Sequence, residues 1–185
     1  MPIRNTTVRW GSVAKAFHWV VVALIVTQFV LIKIAQNLPS GGEKIEFYAR
    51  HKSVGITILM LAVLRLLWRW LNPAVPALPD TLKPYERGLA RFSHFALYTL
   101  LFAMPLTGWT MSSARNFPVS WFNLLQLPDL VPASKPLYGL LHETHETLAW
   151  VLVAVAALHV VGALKHHFVY KDDVLRRMLP FTRTP

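Results

Sequence analysis

The sequence predicts an all-α membrane protein: a four-helix transmembrane bundle with both termini cytoplasmic and a short interfacial helix between spans three and four. Three observations carry that reading. Hydrophobic residues fill 54% of the 185 positions and charged residues only 15%, well below the roughly one quarter usual in soluble chains. The apolar residues gather in four runs, each near the roughly 20 residues that cross a hydrocarbon core. The formal net charge of +10, from 19 Lys and Arg against 9 Asp and Glu, falls mostly between those runs. The length is that of one domain, so residues 1–185 are read as a single transmembrane unit.

The first run, Ala16 to Ile32, holds no charged residue and with its flanks predicts a span over about 15–36. His51 to Leu71 predicts the second, over about 51–71. Arg65 and Arg69 lie near its end, one turn apart, where long cationic side chains snorkel to the headgroups. The connector from Asn72 to Asp80 carries three prolines and ends this span sharply. Phe92 to Ala114 is uncharged and predicts a third span over about 89–113. Pro105 and Gly108 inside it are tolerated where neighbouring helices satisfy the freed backbone. Residues 115–138 carry Pro118, Pro128, Pro132 and Pro136 around an aromatic and leucine-rich piece from Val119 to Leu127. That piece is too short to span and is expected to lie at the interface as a helix. Thr147 to Leu164 marks the fourth span, whose helix is expected over about 142–168.

Orientation follows from the distribution of Lys and Arg. One face collects 13 of them: Arg4, Arg9, Lys15, Arg65, Arg69, Lys83, Arg87, Arg91, Lys165, Lys171, Arg176, Arg177 and Arg183. The other holds Lys33, Lys44, Arg50, Lys52, Arg115 and Lys135, which are 6. The positive-inside rule then puts both termini in the cytoplasm. Because the cationic excess is spread over three juxtamembrane segments, it is a topology signal, and no nucleic-acid partner is expected. The first run is long and lacks a small-residue cleavage pattern, so it is read as retained rather than as a secretory signal.

The chain has no cysteine. That excludes disulfide scaffolds, thiolate-bound zinc or iron–sulfur clusters and covalently attached c-type haem, and directs metal chemistry to the eight histidines. A histidine inside a span is costly unless paired or coordinated. His145 and His159 sit on span four, 14 residues apart, which is about 21 Å of helix rise with an angular offset of only about 40°. They therefore share one face at opposite leaflets. His18, at the cytoplasmic start of span one, lies at the depth of His159, and His51, at the outer start of span two, lies at the depth of His145. Two neutral imidazoles from two helices, at each of two depths, suit bis-histidine haem b, since a porphyrin is flat and apolar and takes one imidazole on each face. Zinc prefers three or four ligands in a tight tetrahedron.

Four further residues complete the candidate set. His142, one turn before His145, is the alternative outer ligand. His94, opening span three, competes for the inner site. His166 and Lys165 lie at the cytoplasmic end of span four, with His167 beside them. Histidine as a residue type exchanges protons near neutral pH, which suits His166 and Lys165 to a quinone and proton path. Arg65, Arg69, Arg87 and Arg91 are candidates to pair haem propionates.

Several segments are recognisable together: Phe17-His18-Trp19, His51-Lys-Ser-Val-Gly55, His145-Glu-Thr-Leu-Ala149 with His159 fourteen residues on, Leu164-Lys-His-His-Phe-Val-Tyr-Lys-Asp172, and Leu175-Arg-Arg-Met-Leu-Pro180. Over nearly its whole length the chain resembles the bacterial cytochrome b561 family, dihaem proteins of the inner membrane related to the haem b subunits of nickel hydrogenases and formate dehydrogenases. The resemblance implies two b haems with ligands at His18, His51, His145 and His159. It also implies electron transfer between a periplasmic donor and the quinone pool, with ubiquinone as acceptor and, in some members, superoxide as donor. This chain departs from the pattern at His142, which doubles a His-Glu-Thr unit.

The expectation is thus an inner-membrane oxidoreductase in contact with lipid, quinone and superoxide or another periplasmic donor. Lys44, Arg50, Lys52 and Lys135 near the outer site would attract a small anion. A haem b anchor subunit serving a partner dehydrogenase is one alternative, and a non-redox transporter or assembly factor another.

Overall fold

The computed structural model describes residues 2–79 and 82–180. Asp80 in the connector and Arg183 among the counted cations lie outside the described residues. The chain is α-helical apart from one small hairpin. Four long helices follow one another: α1 (Ser12–Asn37), α2 (Gly42–Leu71), α3 (Pro84–Ala114) and α4 (Lys135–Lys165). All four are long and apolar enough to cross a membrane. A π-helical turn, His166–Tyr170, continues α4, and a short α5 (Val174–Met178) follows. Side chains such as Val26, Phe95, Trp150 and Val161 stand exposed on the long helices, a cost that lipid removes and water would not.

The helices outrun the apolar runs that predict them. α2 starts at Gly42, nine residues before His51, because hydropathy marks where lipid begins rather than where hydrogen bonding begins. Its first turns are polar and carry the Glu46–Arg50 ion pair at i,i+4, a spacing that supports helix. α4 likewise begins at Lys135. Pro105 lies inside α3 without ending it.

The expected interfacial helix is not formed. Its place is taken by a β-hairpin, β1 (Ser120–Trp121) and β2 (Leu125–Gln126), antiparallel with Ser120 opposite Gln126 and Trp121 opposite Leu125. Phe122 and Asn123 adopt positive φ values of 47° and 58°, which reverses the chain. Contacts to α2 hold it there. The Ser53 hydroxyl donates to the Ser120 carbonyl and accepts the Phe122 N–H, each at 3.0 Å, and Trp121 Nε1 donates to Thr57 Oγ1 at 3.0 Å.

The contacts divide the chain into two compact units, and every long helix contributes to both. One comprises Val21–Ala62 and Leu100–Val151. Its core is Val54, Ile58 and Ala62 along one face of α2, packed with Val21 of α1 and Leu101 of α3. Lys52 stitches it: its ammonium donates to Ser112 Oγ at 3.2 Å and to the carbonyls of Phe117 and Pro118 at 3.4 and 2.9 Å, and lies 3.7 Å from the centre of the Phe117 ring.

The other unit comprises the described residues of Met1–Val20, Val63–Thr99 and Leu152–Pro185. Here the N-terminal segment, the proline-rich connector and α5 are tied together. Asn5 Nδ2 donates to the Ala74 carbonyl at 3.2 Å, the Ala77 N–H to Thr7 at 3.0 Å, and Arg177 to the Ala77 carbonyl at 3.0 Å. Lys15, buried on α1, donates to the Leu179 carbonyl at 3.0 Å, and Trp19 Nε1 to that of Met178 at 2.9 Å.

Candidate functional site

Each unit brings together one pair of the singled-out histidines. His51 of α2 and His145 of α4 lie with ring centroids 6.4 Å apart, and His18 of α1 and His159 of α4 lie 6.3 Å apart. A metal ion held by one nitrogen of each ring would keep the two rings roughly 6 Å apart, so each pair could hold one haem iron, which would supply one-electron chemistry. Both pairs have that spacing. Their interplanar angles are 77° and 57°.

In the first pair the ring orientation is fixed from outside. His51 Nδ1 lies 3.3 Å from the Gln28 carbonyl, which only accepts, so Nδ1 carries the proton. His145 Nδ1 lies 3.1 Å from Thr107 Oγ1, whose hydroxyl is also placed to donate to the Ala103 carbonyl at 2.8 Å. The imidazole therefore donates there as well. Both rings keep Nε2 as a free lone pair, the form in which a histidine binds metal, with its tautomer set by the outer-shell partner.

Two glycines make room at the same place. A Cβ on Gly108 would meet His145 Cε1 at 3.1 Å, and one on Gly55 would meet Gln28 Nε2 at 3.0 Å. Gln28 Oε1 is buried and has no hydrogen-bond partner among the described residues. A buried amide oxygen of this kind calls for a hydrogen-bond donor. Gln28, Thr107 and the two glycines escape sequence reasoning. Only Gln28, a polar residue in an otherwise apolar run, leaves a signal.

In the second pair, His18 packs edge-on against Trp19 at 5.3 Å. His94 joins this group, with its ring 5.1 Å from that of His159 and its Nδ1 donating to the Ala90 carbonyl at 2.7 Å. That separation is too short for an iron between His94 and His159. Arg65 is the charged neighbour of His18, His94 and His159, and its guanidinium lies 5.1 Å from the Tyr98 ring centre. Trp68 Nε1, Asn72 Nδ2 and Arg87 Nε are buried donors without acceptors among the described residues. A carboxylate-bearing cofactor suits such a donor set.

The remaining candidates lie elsewhere. The His142 ring packs on Tyr138 at 5.8 Å, and Tyr138 in turn accepts a hydrogen bond from Arg115 at 2.9 Å. Lys165 forms an ion pair with Glu86 of α3 at 2.7 Å. His166 Nδ1 meets Asp172 at 2.6 Å, and His167 packs against Phe168. Three of the cations expected to attract an anion are engaged: Lys52 as described, Arg50 with Glu46, and Lys44 with the Leu38 carbonyl at 3.0 Å.

The family model described as prokaryotic cytochrome b561 matches residues 9–181. The chain belongs to the prokaryotic cytochrome b561 family. It is 36% identical over 180 residues to cytochrome b561 homolog 2 of Escherichia coli (strain K12), covering 97% of this chain and 95% of that protein. It is 32% identical to the probable superoxide oxidase CybB of Yersinia pestis, covering 95% and 98%. A further relative, cytochrome b561 homolog 1 of Escherichia coli (strain K12), is 25% identical, covering 93% and 97%. As a cytochrome b561 with four candidate spans, the chain is a multi-pass membrane electron-transfer protein, and the family implies haem b.

Proposed function

We propose that this cytochrome b561 is a dihaem electron carrier of the bacterial inner membrane that takes electrons from superoxide on the periplasmic side and delivers them to ubiquinone. The observation that carries the reading is the pair of imidazole–imidazole separations, 6.3 and 6.4 Å. His18 and His159 would hold the inner haem, and His51 and His145 the outer one. Haem b supplies one-electron chemistry, which joins a one-electron donor to a two-electron acceptor. The chain's part is to hold Nε2 of His51 and His145 unprotonated through Gln28 and Thr107, and to offer Trp68, Asn72 and Arg87 as buried donors. Both termini face the cytoplasm by the positive-inside rule.

Superoxide as donor is supported by the relative named probable superoxide oxidase, which this chain matches along 98% of that protein's length. Lys44, Lys52 and Lys135 carry the outer cationic field, because hydrogen bonds to neutral oxygens leave the charge of Lys44 and Lys52 in place, whereas Arg50 is balanced by Glu46. His166 marks the quinone and proton path at the end of α4, next to Lys165, which is paired with Glu86.

The test is an absorption spectrum of the purified protein in oxidised and reduced states, with a haem-to-protein ratio. The expected ratio is two, with reduction by superoxide and reoxidation by a ubiquinone analogue. A colourless protein refutes the redox function, a ratio of one refutes the two-pair assignment, and reduction only in the presence of a partner protein refutes the autonomous reading.

A further inference from the structure

The polar residues at the end of α4 form one connected group built on an unusual backbone. α4 passes into a π-helical turn at His166–Tyr170, after which Lys171 takes the left-handed conformation at φ 54° and ψ 34°. π-turns are rare and concentrate at functional positions. The Asp172 N–H then donates to the His166 carbonyl at 3.2 Å, which folds Asp172 back over the ring. One carboxylate oxygen meets His166 Nδ1 at 2.6 Å, and the other accepts the Val174 N–H at 3.0 Å. The two side chains are 14% and 19% exposed, so the pair is largely shielded.

The surroundings of His166 are equally defined. The Tyr170 ring packs edge-on against it at 5.5 Å. The Tyr170 hydroxyl donates to Glu86 at 2.6 Å, and the same carboxylate oxygen takes Lys165 Nζ at 2.7 Å. The groups around the imidazole are therefore Asp172 and Tyr170, with Glu86 of α3 and Lys165 behind Tyr170. Lys165 is committed to Glu86, an anchor between α3 and α4. His166 has its second ring nitrogen, Nε2, left over from the bond to Asp172.

We propose that Asp172 is the positioning residue that makes His166 the proton donor for quinone reduction, which rests on the reading above that quinone is the electron acceptor. Two superoxide ions each give up one electron and leave as dioxygen. The quinone takes those two electrons and two protons and becomes the quinol. His166, protonated on both nitrogens, gives its Nε2 proton to a quinone oxygen and returns to the Nδ1–H form, and cytoplasmic water restores the Nε2 proton for the second transfer. Asp172 stays a carboxylate throughout: it stabilises the imidazolium and keeps the neutral ring in the tautomer whose Nε2 is open to reprotonation.

A purely structural role for Asp172, capping α5 through Val174, is separated from this one by Asp172→Asn. The Asn carbonyl still accepts the Val174 N–H, but its NH2 group faces Nδ1, which reverses the tautomer and removes the charge. The experiment uses the full chain with its haem, reduced by dithionite and mixed with a short-tailed ubiquinone analogue across a pH series. D172N is expected to slow haem reoxidation about 100-fold, the low end of what a positioned general acid contributes, and to displace its pH profile. D172E restores the rate, and D172N added to H166Q slows it no further. Haem content, spectrum and reduction by superoxide stay as in the unaltered chain.

A D172N protein with the original rate and pH profile overturns the proposal, as does a slow D172N with an unmoved profile and no rescue by Glu. Should D172N fail to retain haem, H166Q leaves the cap intact and must show the same slowing, and an unaltered rate in H166Q overturns the proposal. If the unaltered protein is not reoxidised by quinone at all, the acceptor reading itself falls and this one with it. Normal reoxidation with an indifferent Asp172 removes the positioning role alone.

Discussion

Thr107→Val tests the outer pair without touching a proposed ligand. The change replaces a hydroxyl that receives His145 Nδ1 at 3.1 Å and is placed to donate to the Ala103 carbonyl at 2.8 Å. With Val there, the Nδ1–H faces a methyl group and keeps only the Met104 backbone to hold the tautomer that leaves Nε2 free. Loss of such a partner typically lowers metal affinity 10- to 100-fold, about 1.4–2.7 kcal/mol. The separate cost of an unsatisfied buried N–H, about 1–3 kcal/mol, falls in the same range. The effect is confined to one site, because Thr107 and His145 belong to one compact unit and His18 and His159 to the other. The assay is haem transfer to excess apomyoglobin, followed as two kinetic phases. The outer phase is expected to accelerate about 10- to 100-fold while the inner phase stays unchanged, and Thr107→Ser restores it. Loss within twofold of the original rate, or equal acceleration of both phases, refutes the tautomer argument.

Four further outcomes are expected. His51→Ala or His145→Ala takes the haem-to-protein ratio from two to one and leaves the inner haem, and His18→Ala or His159→Ala does the converse; loss of both haems from one substitution contradicts the pairing. His94→Leu and His142→Ala each keep a ratio of two, as measured by haem extraction, since His94 stands too close to His159 and His142 packs on Tyr138. Gly108→Val empties the outer site, because a Cβ already meets His145 Cε1 at 3.1 Å and a branched chain adds bulk beyond it; a full outer haem in that variant's spectrum disproves the close-approach reading. Lys52→Met lowers thermal stability by about 0.5–1.5 kcal/mol through the hydrogen bonds lost to Ser112 and Pro118, read as the midpoint of heat-induced haem release; an unchanged midpoint removes Lys52 as a stitch.

The parts of this protein that obey a period were legible before any coordinates. His145 and His159 share a helix face because 14 residues nearly close four turns, and that arithmetic needs only an unbroken helix, which α4 is. His18 and His51 then followed from depth. What stayed hidden depends on contacts between residues far apart in the chain. Phe122 takes φ 47°, a conformation its bulky side chain does not advertise, because Ser53 and Thr57, more than sixty residues earlier, hold the hairpin. Lys52 reads as a surface cation until the carbonyls of Phe117 and Pro118 are seen around it. The π-turn has no compositional mark, and Glu86 reaches Lys165 and Tyr170 across 79 and 84 residues of sequence.

The bonds from Lys15 to Leu179 and from Trp19 to Met178 also order the making of the protein in time. Their partners are 164 and 159 residues apart, so α1 is threaded into the membrane long before the carbonyls that finish it leave the ribosome. Until then the Lys15 ammonium must find its acceptors in water or lipid headgroups, and the indole beside His18 lacks its final partner. The unit of Val21–Ala62 with Leu100–Val151 is complete in sequence sooner. The unit that holds His51 and His145 is therefore complete in the nascent chain before the one that holds His18 and His159.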